Sequence, residues 1–407
     1  MTTPRTQLIH HRYEPPAGFS APQPGVHKAS TVFFSSVEAL RSIRWKDRSA
    51  YTYGLHGTPT TYTLEERLCT LEGGRYCVLT PSGLSAITLV FLAMLRTGDE
   101  VLLPWNTYSP AVAFAQQELL RWGITHQFYD PLRPEDLAQR IRASTRLVWI
   151  EAAGSVTLEF PDLPALVRIC LDAGVRCALD DTWSAGQAYA PFDLLPGTTP
   201  ALGVDIALSA LTKYHSGGGD ILMGSLITVD ADLHERLSLC HMRLGLGVGA
   251  NDVEAVLRGL PTLAVRYAAQ DEAARTLAVW CQSRPEFAQV LHPALPGSPG
   301  HAHWLALCHG NGSRAGRAAG LFAVVFRADI PQASVDAFCN ALQYFRIGYS
   351  WGGPVSLVMP YDLPPERRQS SPHLASGCLV RFAIGFEDVA DLQADLSRAL
   401  GQCLQPR

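Results

Sequence analysis

The chain has 407 residues, of which 47% are hydrophobic and only 17% charged, and 33 Lys and Arg against 37 Asp and Glu leave a net charge of −4. That length exceeds one small core, and the near-neutral balance gives no electrostatic case for nucleic acid or an anionic membrane as partner, so a small molecule is the default. A surface this short of charge implies that part of it is covered in a homo-oligomer.

The ten cysteines are irregularly spaced, with no CxxC pair and no Cys/His ligand rhythm, so reduced, mostly buried thiols are expected and no metal site. Residues 1–20 mix His, Arg, Glu and Pro without an apolar core of the secretory kind. The greasiest stretch, 84–95, is interrupted by Ser85 and Thr88 and is too short to span a bilayer. A cytoplasmic location is the expectation, in keeping with free thiols.

Residues 1–53 are irregular and rich in proline (Pro15, Pro16, Pro22, Pro24) and read as an extended arm of the sort that wraps a neighbouring subunit. From 54 to 258, short β-branched or apolar runs alternate with helical stretches, the pattern of a parallel sheet covered by helices. The run 79–85 (LTPSGLS) is a small-residue turn feeding the apolar helix 84–95. Backbone N–H groups at such a helix start bind phosphate, which makes Ser82, Gly83 and Leu84 cradle candidates, although alone the motif is an ordinary turn. The strand-like run 101–103 leads into Asn106-Thr-Tyr-Ser-Pro110, where Tyr108 could lie flat on a planar ring.

Three further runs, 146–151, 175–180 and 204–209, end in Glu151, Asp180 and Ser209. Ligands bind at the carboxyl ends of strands in open α/β sheets, so Glu151, Asp180 and Thr212-Lys213 should converge. The pair Asp180-Asp181 is either an exposed turn or cap or a site carboxylate, and Asp180 is the candidate that keeps a ring nitrogen protonated. The stretch 209–220 (SALTKYHSGGGD) puts Lys213 just past a buried strand and before a glycine-rich turn. Desolvation there lowers a lysine's pKa and makes its amine nucleophilic toward an aldehyde, with the Thr212 hydroxyl available to the phosphate.

From 259 to 407 the chain reads as a second, smaller α+β unit: a helix over 263–282, a Pro/Gly-rich loop at 292–300 and a strand over 321–326. The stretch 377–388 buries Arg381 in an apolar strand, where it needs a carboxylate, either the substrate's or a structural Glu or Asp. An aldehyde-seeking lysine, a ring-nitrogen carboxylate, a stacking ring and a phosphate cradle together describe a site for pyridoxal 5′-phosphate (PLP).

In order along the chain, Tyr53-Gly-Leu-His-Gly-Thr-Pro-Thr60, Leu71-Glu-Gly-Gly74, Asp180-Asp-Thr-Trp183, Leu211-Thr-Lys-Tyr214, 251–259, 292–298, Tyr349-Ser-Trp-Gly-Gly353 and 381–391 make the chain resemble the PLP enzymes of cysteine and methionine metabolism, the trans-sulfuration family. The resemblance implies a type I PLP-dependent transferase fold: a mostly parallel seven-stranded sheet flanked by helices with a smaller C-terminal α+β domain. It implies an N-terminal arm over 1–53, a PLP-binding domain over 54–258 and a small domain over 259–407. It also implies a homotetramer built from active dimers. Lys213 would be the Schiff-base lysine, Asp180 the pyridine partner, Tyr108 the stacking ring, and Gly83, Leu84 and Thr212, with Ser82, the phosphate ligands. Tyr53 would reach the phosphate of the neighbouring subunit. Arg381, helped by Ser350, would hold the substrate carboxylate, beside Tyr108 and Trp351.

The resemblance further implies a carbon–sulfur lyase of methionine biosynthesis. Trp351 and Thr58 match its β-cleaving members, which turn cystathionine into homocysteine, pyruvate and ammonia, better than the γ-acting ones. A γ-lyase, a γ-synthase, a cysteine desulfhydrase or a non-catalytic PLP-binding protein are the alternatives. Where the family carries arginine after Tyr-Gly, this chain has Leu55, with His56 as a partial substitute; a lost charge-assisted contact weakens cofactor binding by on the order of 1.5–3 kcal/mol. The family's Gly-Gly-x-Glu-Ser becomes Gly352-Gly-Pro-Val-Ser356, which is expected to alter the substrate wall.

Overall fold

A computed structural model describes residues 4–9, 17–18, 20–43, 50–309 and 316–403. The first sheet contains β1 (Tyr76–Thr80), β2 (Glu100–Pro104), β3 (Thr125–Tyr129), β4 (Thr145–Glu151), β5 (Arg176–Asp180), β6 (Ile206–Ala210) and β7 (Gly224–Thr228), in the spatial order β1-β7-β6-β5-β4-β2-β3. Neighbours pair in parallel except β7, which runs against both β1 and β6. Parallel strands require helical crossovers, and alternate residues of each strand are buried on opposite faces. Val148, Ile150 and Leu179 join one core, whereas Leu147, Trp149 and Ala178 join the other.

The runs 101–103, 146–151, 175–180 and 204–209 appear as β2, β4, β5 and β6, with ends shifted by no more than two residues. Strand β7 was not foreseen, because the glycine-rich segment after Lys213 disguises a hairpin-like return. Gly224 sits there with no room for a side chain, its Cβ position only 2.6 Å from the Ser82 carbonyl oxygen.

The second sheet holds β8 (Phe287–Leu291), β9 (Leu321–Phe326), β10 (Arg346–Ile347), β11 (Leu357–Tyr361) and β12 (Leu379–Ala383), in the order β10-β11-β12-β9-β8. The strand foreseen at 321–326 and the helix foreseen at 263–282 match β9 and the helix Leu263–Gln282. That helix serves two cores: Leu263 and Tyr267 pack with the first sheet, and Ala274, Leu277 and Cys281 pack under the second. In the proline-rich arm, Thr31 bridges to Tyr53, and the short helix Val37–Ser42 buries no side chain. The expectations for 1–3, 10–16, 19 and 44–49 lie outside the described residues. None of the ten cysteines is joined in a disulfide, and seven of them are buried. Among the described residues no group of His, Cys, Asp and Glu could hold a metal, and no helix is long and apolar enough to cross a membrane.

Candidate active site

The carboxyl ends of β4, β5 and β6 meet as the parallel topology requires. Glu151 and Asp180 are register partners at the ends of β4 and β5. Asp180 Oδ1 accepts hydrogen bonds from the Thr182 N–H at 3.1 Å and the Thr182 hydroxyl at 2.5 Å. The same hydroxyl oxygen accepts the Ala210 N–H at 2.9 Å, so Thr182 ties the end of β5 to the end of β6. Burial raises the Asp180 carboxyl above its usual range, while the Thr182 bonds and the Lys213 charge pull it back.

Lys213 lies three residues beyond β6, in a turn in which its N–H bonds to the Ala210 carbonyl at 3.1 Å and its own carbonyl accepts the Gly217 N–H at 3.0 Å. Its Nζ donates to Ser350 Oγ at 2.7 Å and sits 5.4 Å from the centre of the Trp351 ring. Burial first, then the Arg381 charge, push the amine down to about 8, against the opposing pull of Asp180. The loop presenting Ser350 and Trp351 presses on the lysine turn. A Cβ on Gly352 would fall 2.9 Å from the Tyr214 nitrogen, and φ there is +79°, so only glycine allows the approach.

Ser82 caps the helix Gly83–Met94, its hydroxyl accepting the Ser85 N–H at 3.0 Å, which leaves the N–H groups of the first turn without helical partners. The sequence suggested that Gly83 lets the backbone approach a phosphate. The contact that demands glycine here is with the end of β6, since a Cβ would lie 2.6 Å from Ala210 Cβ. That packing brings the helix start beside the Lys213 strand. The Thr212 hydroxyl is engaged with Met223, donating to its carbonyl at 3.3 Å and accepting its N–H at 3.2 Å.

Tyr108 follows β2, and its N–H donates to Glu151 Oε1 at 2.8 Å. Its ring is 43% exposed. Burial, then the nearby Asp180, Tyr361 and Glu151, raise its hydroxyl pKa, which places the ring among the same strand ends.

Arg381, on β12, is only 7% exposed. Of the two partners left open by the sequence, a structural carboxylate is absent among the described residues. The guanidinium donates to the Ser350 carbonyl at 3.0 Å, lies 5.2 Å from the centre of the Tyr361 ring, and keeps a buried Nε with no hydrogen-bond partner. Tyr361 is two residues beyond Met359, which pairs with Arg381 across β11 and β12, so ring and guanidinium share one face. No sequence motif marked Tyr361, and Thr182 stood in the motif Asp180-Asp-Thr-Trp183 without a role of its own.

Ser356, at the end of the altered Gly-Gly-Pro-Val-Ser stretch, is fully buried, donating to Glu387 Oε2 at 2.7 Å and accepting the Gly385 N–H at 2.9 Å. Tyr53 is 47% exposed and contacts Thr31 and His56 rather than Lys213, so a single chain does not bring it to the site. Leu55 and His56 line a separate cavity of about 420 Å³ with Glu65, His234 and His241. His56 Nδ1 is 2.7 Å from the Thr52 hydroxyl.

A desolvated amine, an acid anchored through one oxygen, an exposed aromatic ring and an open helix start therefore gather at the same strand ends, next to a buried guanidinium that has no carboxylate partner among the described residues. These groups fit the aldehyde, ring nitrogen, ring face and phosphate of PLP, and the carboxylate of an amino acid. The model of the Cys/Met metabolism PLP-dependent enzymes matches residues 5–401. The chain belongs to that family. It is an enzyme whose cofactor is PLP, and its two-sheet architecture is the family's type I fold.

The chain is 38% identical to the cystathionine beta-lyase of Bordetella avium over 92% of its own length and 90% of that protein's. It is 33% identical to cystathionine beta-lyase MetC of Escherichia coli, with 96% of each covered. The crystal structure of cystathionine gamma synthase from Xanthomonas oryzae pv. oryzae in complex with cystathionine superposes with a TM-score of 0.83 at 27% identity, over 95% of both chains.

For a family member with this lysine, the rate of PLP attachment to the unloaded protein should rise roughly tenfold per pH unit below about 8 and level off above it, since only the neutral amine attacks. Stopped-flow absorbance measures that profile. A rate still climbing toward the ordinary lysine value of 10.5 would show an exposed amine instead.

Proposed function

We propose that this enzyme is a carbon–sulfur β-lyase that converts cystathionine and water into homocysteine, pyruvate and ammonia. The observation that carries the reading is the adjacency of Lys213 and Arg381 across Ser350: the hydroxyl takes the lysine amine and the carbonyl takes the guanidinium. A proton-accepting amine thus stands next to a cation that has no protein carboxylate, which suits a substrate held by its α-carboxylate. The two relatives above, both named cystathionine beta-lyases, support the substrate.

When bound, PLP supplies an electron sink for the charge left at the substrate Cα. Arg381 binds the α-carboxylate and, with Ser350 and Trp351, fixes which Cα bond faces the lysine. Lys213 Nζ takes the Cα proton and returns it to the departing sulfur. Asp180 holds a proton on the ring nitrogen, and Tyr108 covers the ring face. Ser82, Gly83, Leu84 and Thr212 hold the phosphate, with Tyr53 reaching in from a second copy. The same reading takes 1–53 as an arm, 54–258 as the PLP-binding domain, 259–407 as the small domain, and the assembly as a cytoplasmic tetramer of active dimers.

Incubating the PLP-loaded enzyme with cystathionine and identifying the keto acid tests the proposal. Pyruvate with one equivalent of homocysteine is expected; 2-oxobutyrate would establish γ-cleavage, and no product at all would remove the lyase reading.

A further inference from the structure

Glu151 and Asp180 close neighbouring parallel strands in register, so their side chains leave the sheet on the same face. Glu151 is 4% exposed and makes no ion pair among the described residues. One of its oxygens is fully engaged: Oε1 accepts the Tyr108 N–H at 2.8 Å and the Trp149 indole N–H at 3.1 Å. The other, Oε2, makes no hydrogen bond among the described residues. Two ionised carboxylates this close in a desolvated site repel, and one of them keeps a proton.

We propose that Glu151 is a positioning residue of the reaction that works as a neutral acid, holding the turn that carries Tyr108 and leaving Asp180 as the anionic partner of the cofactor ring. The inference rests on the roles given to Tyr108 and Asp180 above. Asp180 is the better anion because Oδ1 takes two Thr182 donors and the Lys213 charge is near. With Oε1 committed to two N–H donors, the Glu151 proton sits on Oε2.

The groups around Glu151 agree. Asp180 faces it from β5, Tyr108 from the turn after β2, Tyr129 from β3 and Arg367 from the helix Pro365–Gln369. Arg367, the cation among them, donates to the Ser155 carbonyl and the Thr157 hydroxyl. It also faces Glu159, whose carboxyl, despite burial, is held down to about 2 by the His373 bond and the Arg367 charge. Burial and then Asp180 push Glu151 up to about 8, against the Tyr108 and Trp149 bonds and Arg367.

Infrared difference spectra of the full chain without PLP, wild type against Glu151→Gln at neutral pH, read the proton directly. The wild type should show the C=O stretch of a neutral carboxylic acid that the Gln variant lacks. In the PLP-loaded enzymes, Glu151→Ala should lose about tenfold or more in kcat, the scale of one lost hydrogen bond, and shift the visible cofactor band. Glu151→Gln, which keeps an acceptor for both N–H groups, should recover most of that loss. No acid stretch removed by Gln, a Gln variant as impaired as Ala, or an Ala variant like wild type would each overturn the proposal. If Ala fails to fold, the infrared comparison still decides. The infrared result is independent of substrate, so an enzyme that showed the stretch but released no pyruvate would sink the lyase reading alone.

Discussion

Lys213→Ala is expected to abolish the visible band of the covalently held cofactor and to lower turnover by about 10³- to 10⁴-fold or more. The variant loses the covalent anchor and the base in one change. A positioned general base alone contributes roughly 10²- to 10⁴-fold, and nucleophilic attachment adds to it. The wild-type amine is tuned by its surroundings: burial and Arg381 favour the neutral form, and Ser350 Oγ fixes its direction. Truncation leaves the Ser350 hydroxyl without its donor but creates no buried charge, so folding should survive, as circular dichroism would check. Absorbance after PLP loading and a coupled pyruvate assay measure the two losses. Turnover within tenfold of wild type would mean that another group removes the Cα proton. A small primary amine added to the buffer should return part of the lost rate.

Arg381→Ala should raise KM far more than it lowers kcat, with kcat/KM falling by roughly 10²- to 10³-fold. Charge-assisted hydrogen bonds contribute about 1.5–3 kcal/mol each, and a guanidinium fork makes two to one carboxylate, so about 3–4 kcal/mol is at stake. Arg381→Lys should rescue little, because a point charge on a flexible stem cannot reproduce the fork. The unloaded variant should melt no lower than wild type apart from lost packing on Tyr361. The native guanidinium is buried with no anionic partner, and removing such a charge relieves a desolvation cost. Steady-state kinetics and a thermal melt separate these effects. A large fall in melting temperature with unchanged KM would make Arg381 a structural residue.

Much of this site was legible because its chemistry is local in sequence. Lys213 follows a strand directly and Asp180 ends one, while Gly83 opens a helix, so strand and helix signals alone put them at one edge of the sheet. The arrangement also repeats a family's motifs in order. What stayed hidden depends on pairing between distant segments. Tyr361 matters because β11 lies beside β12 in one register, which no local pattern specifies. Thr182 matters because its hydroxyl spans two strand ends. The glycine at 83 was noticed for the right position and a different contact, since the Ala210 side chain it accommodates lies 127 residues further along the chain. Ser356 follows close on Ser350 and Trp351, which do face the lysine, yet only the fold shows Glu387 closing over it.

The helix Leu263–Gln282, buried at one end against the first sheet and at the other under the second, also limits how the enzyme can breathe. A twenty-residue rod clamped in both layers is a poor hinge, because swinging one layer would strip apolar contacts from the other. The segment around Ser350 and Trp351 is tied in as well, leaning on the lysine turn through the Ser350 hydroxyl, the Trp351 ring and the close approach at Gly352, so the wall facing the amine is held to the first layer too.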